Sequence, residues 1–275
     1  MIFRYAILKE IKNMKQRLLI FLLYLTPSVF FAQITKEKFF TTGLGATWQN
    51  RRDDLFSPIT YRGIGAELRL GREKISDTHY TRFDASGSFS NLKSKIKNGY
   101  NYSAYGVHYN ASYTWTTRVW KDKKDYALFV GGAFFHQSSM GIYNGNVNNI
   151  FSYNAPTGFA GVAYVQRPLR FFKRNWIAST QFTLPVLVYD ARPTYIGFIS
   201  TDNLLKEYGI GTFNKLLDID WRWQLALPLS NGNQLRASYR WHFMNDWHNG
   251  LLQMGSQGLA VEMMVNFPYK VNKDN

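Results

Sequence analysis

The chain has 275 residues, with 33 Lys and Arg against 18 Asp and Glu and a formal charge of +15. The length suits one barrel or one large domain. Cysteine is absent, which excludes a disulfide framework, thiolate metal ligation and a lipid-modified cysteine. Aromatic residues make up 17% while mean hydropathy is only −0.29, a balance that argues against a bundle of membrane-spanning helices.

At the N-terminus, Met14-Lys15-Gln16-Arg17 is followed by an apolar run over 18–31 and then Ala32-Gln33. This order predicts a signal peptide over 1–32, with Met14 as an alternative start, and a mature region of 33–275. The apolar run is too short to span a bilayer comfortably as a helix. Residues 1–32 carry Arg4, Lys9, Lys12, Lys15 and Arg17 against Glu10, which leaves the mature chain at about +11. Basic residues cluster at predicted turns: Arg72 and Lys74; Lys121, Lys123 and Lys124; Arg170, Lys173 and Arg174. There they can meet anionic headgroups or a soluble partner. There is no basic helix and no RNA-binding aromatic motif, so no nucleic acid is expected.

Ten stretches of alternating apolar and polar residues follow. They predict strands at 40–50, 61–71, 79–91, 101–118, 126–138, 157–167, 175–189, 214–229, 234–245 and 256–268. The ninth is the clearest: Leu235, Ala237, Tyr239, Trp241 and Phe243 interleave with Arg236, Ser238, Arg240 and His242. The connections at 72–78, 119–125, 168–174 and 230–233 are short. Those at 51–60, 92–100, 139–156, 190–213 and 246–255 are mostly longer, and 204–208 could form one helical turn within its loop. The turn Ser230-Asn231-Gly232-Asn233 predicts a three-residue hairpin loop with a bulge, which sets Asp220 near His242 and Arg222 near Arg240.

The predicted fold is all-β: a single antiparallel transmembrane barrel of about ten strands, with eight or twelve as alternatives and both termini periplasmic. Parity assigns an inner face to Glu67 and Arg69; Arg82, Asp84, Ser86 and Ser88; His108, Asn110 and Arg118; Gln181 and Thr183; Asp218, Asp220, Arg222 and Gln224; Arg236, Arg240 and His242; and Glu262. Strands five and six are ambiguous, because Gly131, Gly132, Ala133, Gly158, Gly161 and Ala163 weaken the alternation. A barrel of this size is close to filled by its own side chains. The expected lumen is therefore a closed salt-bridge and hydrogen-bond network. The alternative is a narrow channel lined by Arg82, Arg222, Arg236 and Arg240, favouring anions if cations are in excess.

The last predicted strand alternates through Leu259, Val261, Met263 and Val265 to the aromatic Phe267. With the Phe31-Ala32-Gln33 junction and the alternation over 40–268, it resembles the outer-membrane β-barrel proteins of Gram-negative bacteria. The resemblance implies an integral outer-membrane location, contact with outer-membrane lipids and recognition of the terminal aromatic strand by the barrel-insertion machinery. The chain departs by continuing through Pro268 to Asn275.

Two elements are candidates for chemistry. Asp246 and His248 in the last long loop, with Asp53 and Asp54 in the first, could activate a water where barrel closure brings these loops together. Asp246-x-His248 matches an element of the omptins, ten-stranded outer-membrane proteases, whereas the adjacent Asp53 and Asp54 depart from that family's Asp-x-Asp spacing. His136-Gln137-Ser138 has the His-x-Ser spacing of outer-membrane lipid hydrolases, with no third member evident nearby. The five histidines are scattered, so no metal site is expected, and no cofactor either. The favoured reading is a barrel without enzymatic activity. It acts as a structural or accessory component, or presents loops 139–156 and 190–213 to a partner through Tyr143, Asn144, Asn146, Asn148, Tyr153, Tyr195 and Phe198.

Overall fold

The computed structural model describes residues 37–55, 57–95, 101–122, 126–144, 151–192, 208–212, 215–247 and 250–266. The predicted signal peptide, His248 and Phe267 lie outside them. Twelve strands run in chain order: β1 (Glu37–Asp53), β2 (Ser57–Ile75), β3 (His79–Lys95), β4 (Asn101–Lys121), β5 (Ala127–Asn144), β6 (Phe151–Asn154), β7 (Thr157–Phe171), β8 (Arg174–Ala191), β9 (Tyr208–Gly211), β10 (Leu216–Pro228), β11 (Gln234–Asp246) and β12 (Leu252–Asn266). The ten long strands pair antiparallel with their neighbours, and β12 returns to β1 from Asn266↔Phe39 to Leu252↔Asp53. Antiparallel pairing of β8 with β10 completes a closed barrel. Closure matters because each of the ten long strands has a neighbour on both sides, and a membrane interior does not tolerate an open sheet edge.

The two short strands extend the wall at the end of the barrel that carries the long loops. β6 pairs with the upper part of β5, and β9 with the upper part of β8. The predicted loop 139–156 is thus partly hairpin, because β5 continues to Asn144 and β6 returns against it. The predicted helical turn at 204–208 falls mainly outside the described residues, and Tyr208 opens β9.

The opposite end holds both ends of the described chain and the tight turns. Phe172 and Lys173 take consecutive left-handed conformations (φ 48° and 58°), as a two-residue primed hairpin turn requires. Gly232 (φ 81°) closes the β10–β11 loop, with its amide donating to the Leu229 carbonyl at 3.1 Å. That turn fixes the register: Asp220 stands opposite His242 and Arg222 opposite Arg240. A slip of one residue would turn the arginines of β11 outward, so the alternation itself enforces the pairing.

The outside of the barrel is apolar. Leu44, Ile64, Phe89, Phe159, Leu259 and Val261 are all exposed, Leu44 to 72%. Trp48, Tyr105 and Tyr189 face out toward the loop end, and Phe40, Trp120 and Phe171 toward the turn end. An apolar band between aromatic girdles is the surface a bilayer requires.

Candidate functional site

The lumen is filled in layers. At the turn end Tyr80 stacks on Tyr164, with ring centroids 4.1 Å apart, and Ile75, Ala127 and Phe129 pack around the pair. Above it lies a ring of ten alternating charges. Glu73 pairs with Arg236, Arg236 with Glu262, Glu262 with Arg69 and Arg69 with Glu67. Glu67 reaches Arg240, Arg240 pairs with Asp220, Asp220 with Arg222, Arg222 with Asp84, Asp84 with Arg82, and Arg82 returns to Glu73. The separations run up to 3.9 Å, at Arg240–Glu67. Five arginines thus balance five carboxylates, and the ring ties β2 and β3 to β10, β11 and β12 across the barrel.

Local sequence explains how such a ring fits. Gly43 and Gly45 of β1 face Glu262 and Ala260, and a Cβ on Gly43 would lie 2.5 Å from Glu262 Cγ. The missing side chains leave room for the carboxylate and for the arginines that reach it. Arginine suits the role because its planar fork can bridge two acids, as Arg236 does with Glu73 and Glu262.

Above the ring, His242 Nε2 lies 2.8 Å from Asp218, whose other oxygen accepts from Gln137 at 2.8 Å. His108 stands beside His242, with ring centroids 5.9 Å apart. A cavity of about 20 Å³ between Asn110, Gln137, Asp218 and Arg222 has room for about one water. Toward the loop end, Arg51 donates to Ser139 (2.9 Å), Ser152 (2.7 Å) and Tyr143 (3.2 Å).

The rim candidates take a different arrangement from a water-activating site. Asp53 and Asp246 are buried and face the same arginine: Arg192 Nη2 is 2.8 Å from Asp53, and Nη1 is 3.7 Å from Asp246. Asn154 donates to Asp246 at 2.7 Å and to Asp190 at 3.1 Å. Asp54 turns away and pairs with Arg52 at 2.8 Å on the exposed side. Closure therefore brings Asp53 and Asp246 together and leaves Asp54 out.

The sequence reading placed Arg51, Glu73 and Arg192 in connections, whereas β1 and β2 carry Arg51 and Glu73 beyond their last alternating hydrophobics. Tyr143, read as a loop contact residue, points inward and is 1% exposed. Its neighbour Gly141 hints at the reason: a Cβ there would lie 3.1 Å from Arg51 Nε and from the Tyr143 hydroxyl oxygen, so the strand makes space for this pair.

A closed sheet with an apolar, aromatic-girdled wall and a charge-filled interior is stable in one setting. The chain is a membrane-spanning β-barrel. No known protein family matches its sequence, and no curated protein does. Among solved structures it is similar to the transport unit of the autotransporter AIDA-I from Escherichia coli, at 8% identity over 90% of this chain and 94% of that one, with a TM-score of 0.42. It is also similar to the translocator domain of the autotransporter NalP from Neisseria meningitidis, at 9% identity over 95% and 97%, with a TM-score of 0.37. An outer membrane channel from Pseudomonas putida F1 matches at 8% identity over 88% and 100%, with a TM-score of 0.32. At these scores the likeness concerns a shared type of barrel and carries nothing about activity.

Proposed function

We propose that this barrel passes no solute through its lumen and works through its surface, as a structural or accessory component of an outer-membrane assembly. The observation behind this reading is the closed ring of five arginines and five carboxylates. Arg82, Arg222, Arg236 and Arg240, the four candidates for an anion pathway, are all members of it and all neutralised. A pore that attracts anions needs uncompensated positive charge, and these arginines offer none. The outer wall contacts outer-membrane lipids, and the loop end offers a partner the hairpin extensions β5–β6 and β8–β9.

The test is reconstitution of the folded protein in planar bilayers. Current indistinguishable from baseline at high loading is the expected result, and stepwise conductance would overturn the reading in favour of a narrow channel. In native membranes, purification in mild detergent should yield a stoichiometric partner. Replacing 145–150 by a short Gly-Ser linker should release that partner while the heat-dependent gel shift of the folded barrel persists.

A further inference from the structure

We propose that Ser138, His136 and Thr157 form an ester-hydrolysing site on the outer wall, directed at acyl lipids of the surrounding membrane. Parity places His136 and Ser138 on the lipid-facing side of β5, among Val130, Phe134 and Ile142. The first residue of β7, Thr157, stands directly opposite His136. Ser138 Oγ is 3.0 Å from His136 Nε2, and His136 Nδ1 is 2.7 Å from Thr157 Oγ1. Serine and threonine hydroxyls can each donate or accept, so both ring tautomers satisfy these two distances. The reactive one is that in which Nδ1–H donates to the threonine oxygen and Nε2 accepts the serine proton. A nucleophile on a base, with the base held by a third group, is the arrangement that activates a hydroxyl.

The location selects the substrate. The three polar side chains lie together on adjacent strands of the outer wall, within reach of lipid rather than of the lumen. Tyr109 faces Ser138 across β4, and Tyr189 faces Thr157 across β8. Both tyrosines are exposed, and such residues mark the headgroup level of a bilayer. Phe134 and Phe159, edge to face at 5.5 Å, lie next to the site on the side toward the midplane. An ester at the base of a lipid headgroup, with its acyl chain running down past the two phenylalanines, matches this order of polar and apolar groups.

The step balances without a further reactant beyond water. Ser138 Oγ forms a bond to the ester carbonyl carbon as its proton passes to His136 Nε2. Collapse of the tetrahedral intermediate breaks the bond to the glycerol oxygen, which leaves as an alcohol with the proton from Nε2. Water then attacks the acyl-serine, gives its proton to His136, and the carboxylic acid departs as Ser138 is reprotonated. Thr157 touches no reacting atom and is a positioning residue.

The proposal is independent of lumen closure, and conductance has no bearing on it. The full-length folded protein in mixed micelles with phosphatidylethanolamine is assayed for fatty-acid release, and separately treated with a long-chain fluorophosphonate. The expected results are one adduct, mapped to Ser138 by peptide mass, and fatty-acid release that falls by about 10³-fold or more in Ser138→Ala. Thr157→Val should lower kcat by roughly 10²-fold with KM little changed, and Thr157→Ser should restore it. A purely structural threonine would instead alter unfolding and leave kcat alone. Folded wild-type protein that neither labels nor releases fatty acid would overturn the proposal, as would an adduct mapped to any other residue. Peptide mapping on the wild-type chain decides the matter even if Ser138→Ala does not fold.

Discussion

Replacing Arg236 by methionine tests whether the charge ring holds the barrel together. Arg236 donates from Nε to Glu262 at 2.8 Å and from Nη1 to Glu73 at 2.6 Å, and Nη2 makes a further contact with Glu262. Methionine keeps much of the stem and removes the charge, so the ring goes from neutral to one negative charge. Glu262 retains Arg69 at 3.1 Å and Ser238 at 2.8 Å, while in the ring Glu73 retains Arg82 at 3.4 Å. One-sided loss of a buried pair costs about 3–5 kcal/mol, and the surviving partners place this site near the lower value. Urea unfolding of the folded barrel in lipid vesicles, followed by tryptophan fluorescence and gel mobility, gives the measurement. With a slope of about 2–3 kcal/mol per molar, the midpoint should fall by about 1–1.5 M at unchanged slope. Adding Glu73→Gln to Arg236→Met should recover about 1 kcal/mol or more, because the carboxylate stranded by the first change is then neutral. A midpoint shift below about 0.3 M, with no recovery in the double variant, would refute the reasoning and move the stability of the lumen onto packing alone.

Two further substitutions probe the parts that surround the ring. Gly43→Ala places a methyl group 2.5 Å from Glu262 Cγ and 2.8 Å from the Val261 carbonyl oxygen, and the same unfolding assay should show a loss of about 1–3 kcal/mol. Wild-type stability in this variant would mean that Glu262 moves aside freely. Tyr80→Ala removes half of the stacked pair that closes the turn end, where Tyr80 is fully buried, and should cost about 3–5 kcal/mol. An unfolding midpoint equal to wild type would show that Tyr164 and Phe129 refill the space.

How much of this was legible in the sequence depended on contrast between the two faces. In β10 and β11 the contrast is strong: Trp221, Trp223, Tyr239 and Trp241 alternate with Asp220, Arg222, Arg240 and His242, and the Asn231-Gly232 turn fixes the offset. In β5 and β7 the outer Gly132 and Gly161 and the inner Gly131 and Gly158 erase the difference between faces, so parity there needed the structure. Arg51 and Glu73 were missed because the strands run on after their hydrophobic alternation ends. Arg192 was missed because a loop-side arginine carries no periodic signal. The His136-x-Ser138 spacing was visible, but Thr157 was not. It lies 21 residues away, and its position opposite His136 is set by the return of β7 after the β6 extension.

The ring, the tyrosine stack and the Arg192 tie share one geometric property that bears on where function resides. Arg236 joins a partner 163 positions away, Arg222 one 138 away and Arg192 one 139 away. Contacts at such separations can form only once the barrel has closed, so they stabilise the completed cylinder rather than guide its early steps. They also fix opposite walls at arginine length. Opening the lumen to a solute would strip several buried charges of their partners together, at several kilocalories per mole each. Sheet register on the outside of the barrel decides whether Ser138, His136 and Thr157 stay in line, and Thr157 is held opposite His136 by the antiparallel pairing of β5 with β7. Rigid strands hold a reacting group more precisely than loops do. Behind the proposed site β5 has its own inner anchors: Gln137 donates to Asp218 at 2.8 Å and Ser139 accepts from Arg51 at 2.9 Å, one on each side of Ser138 in sequence, so the strand that carries the serine is itself tied to the filled interior.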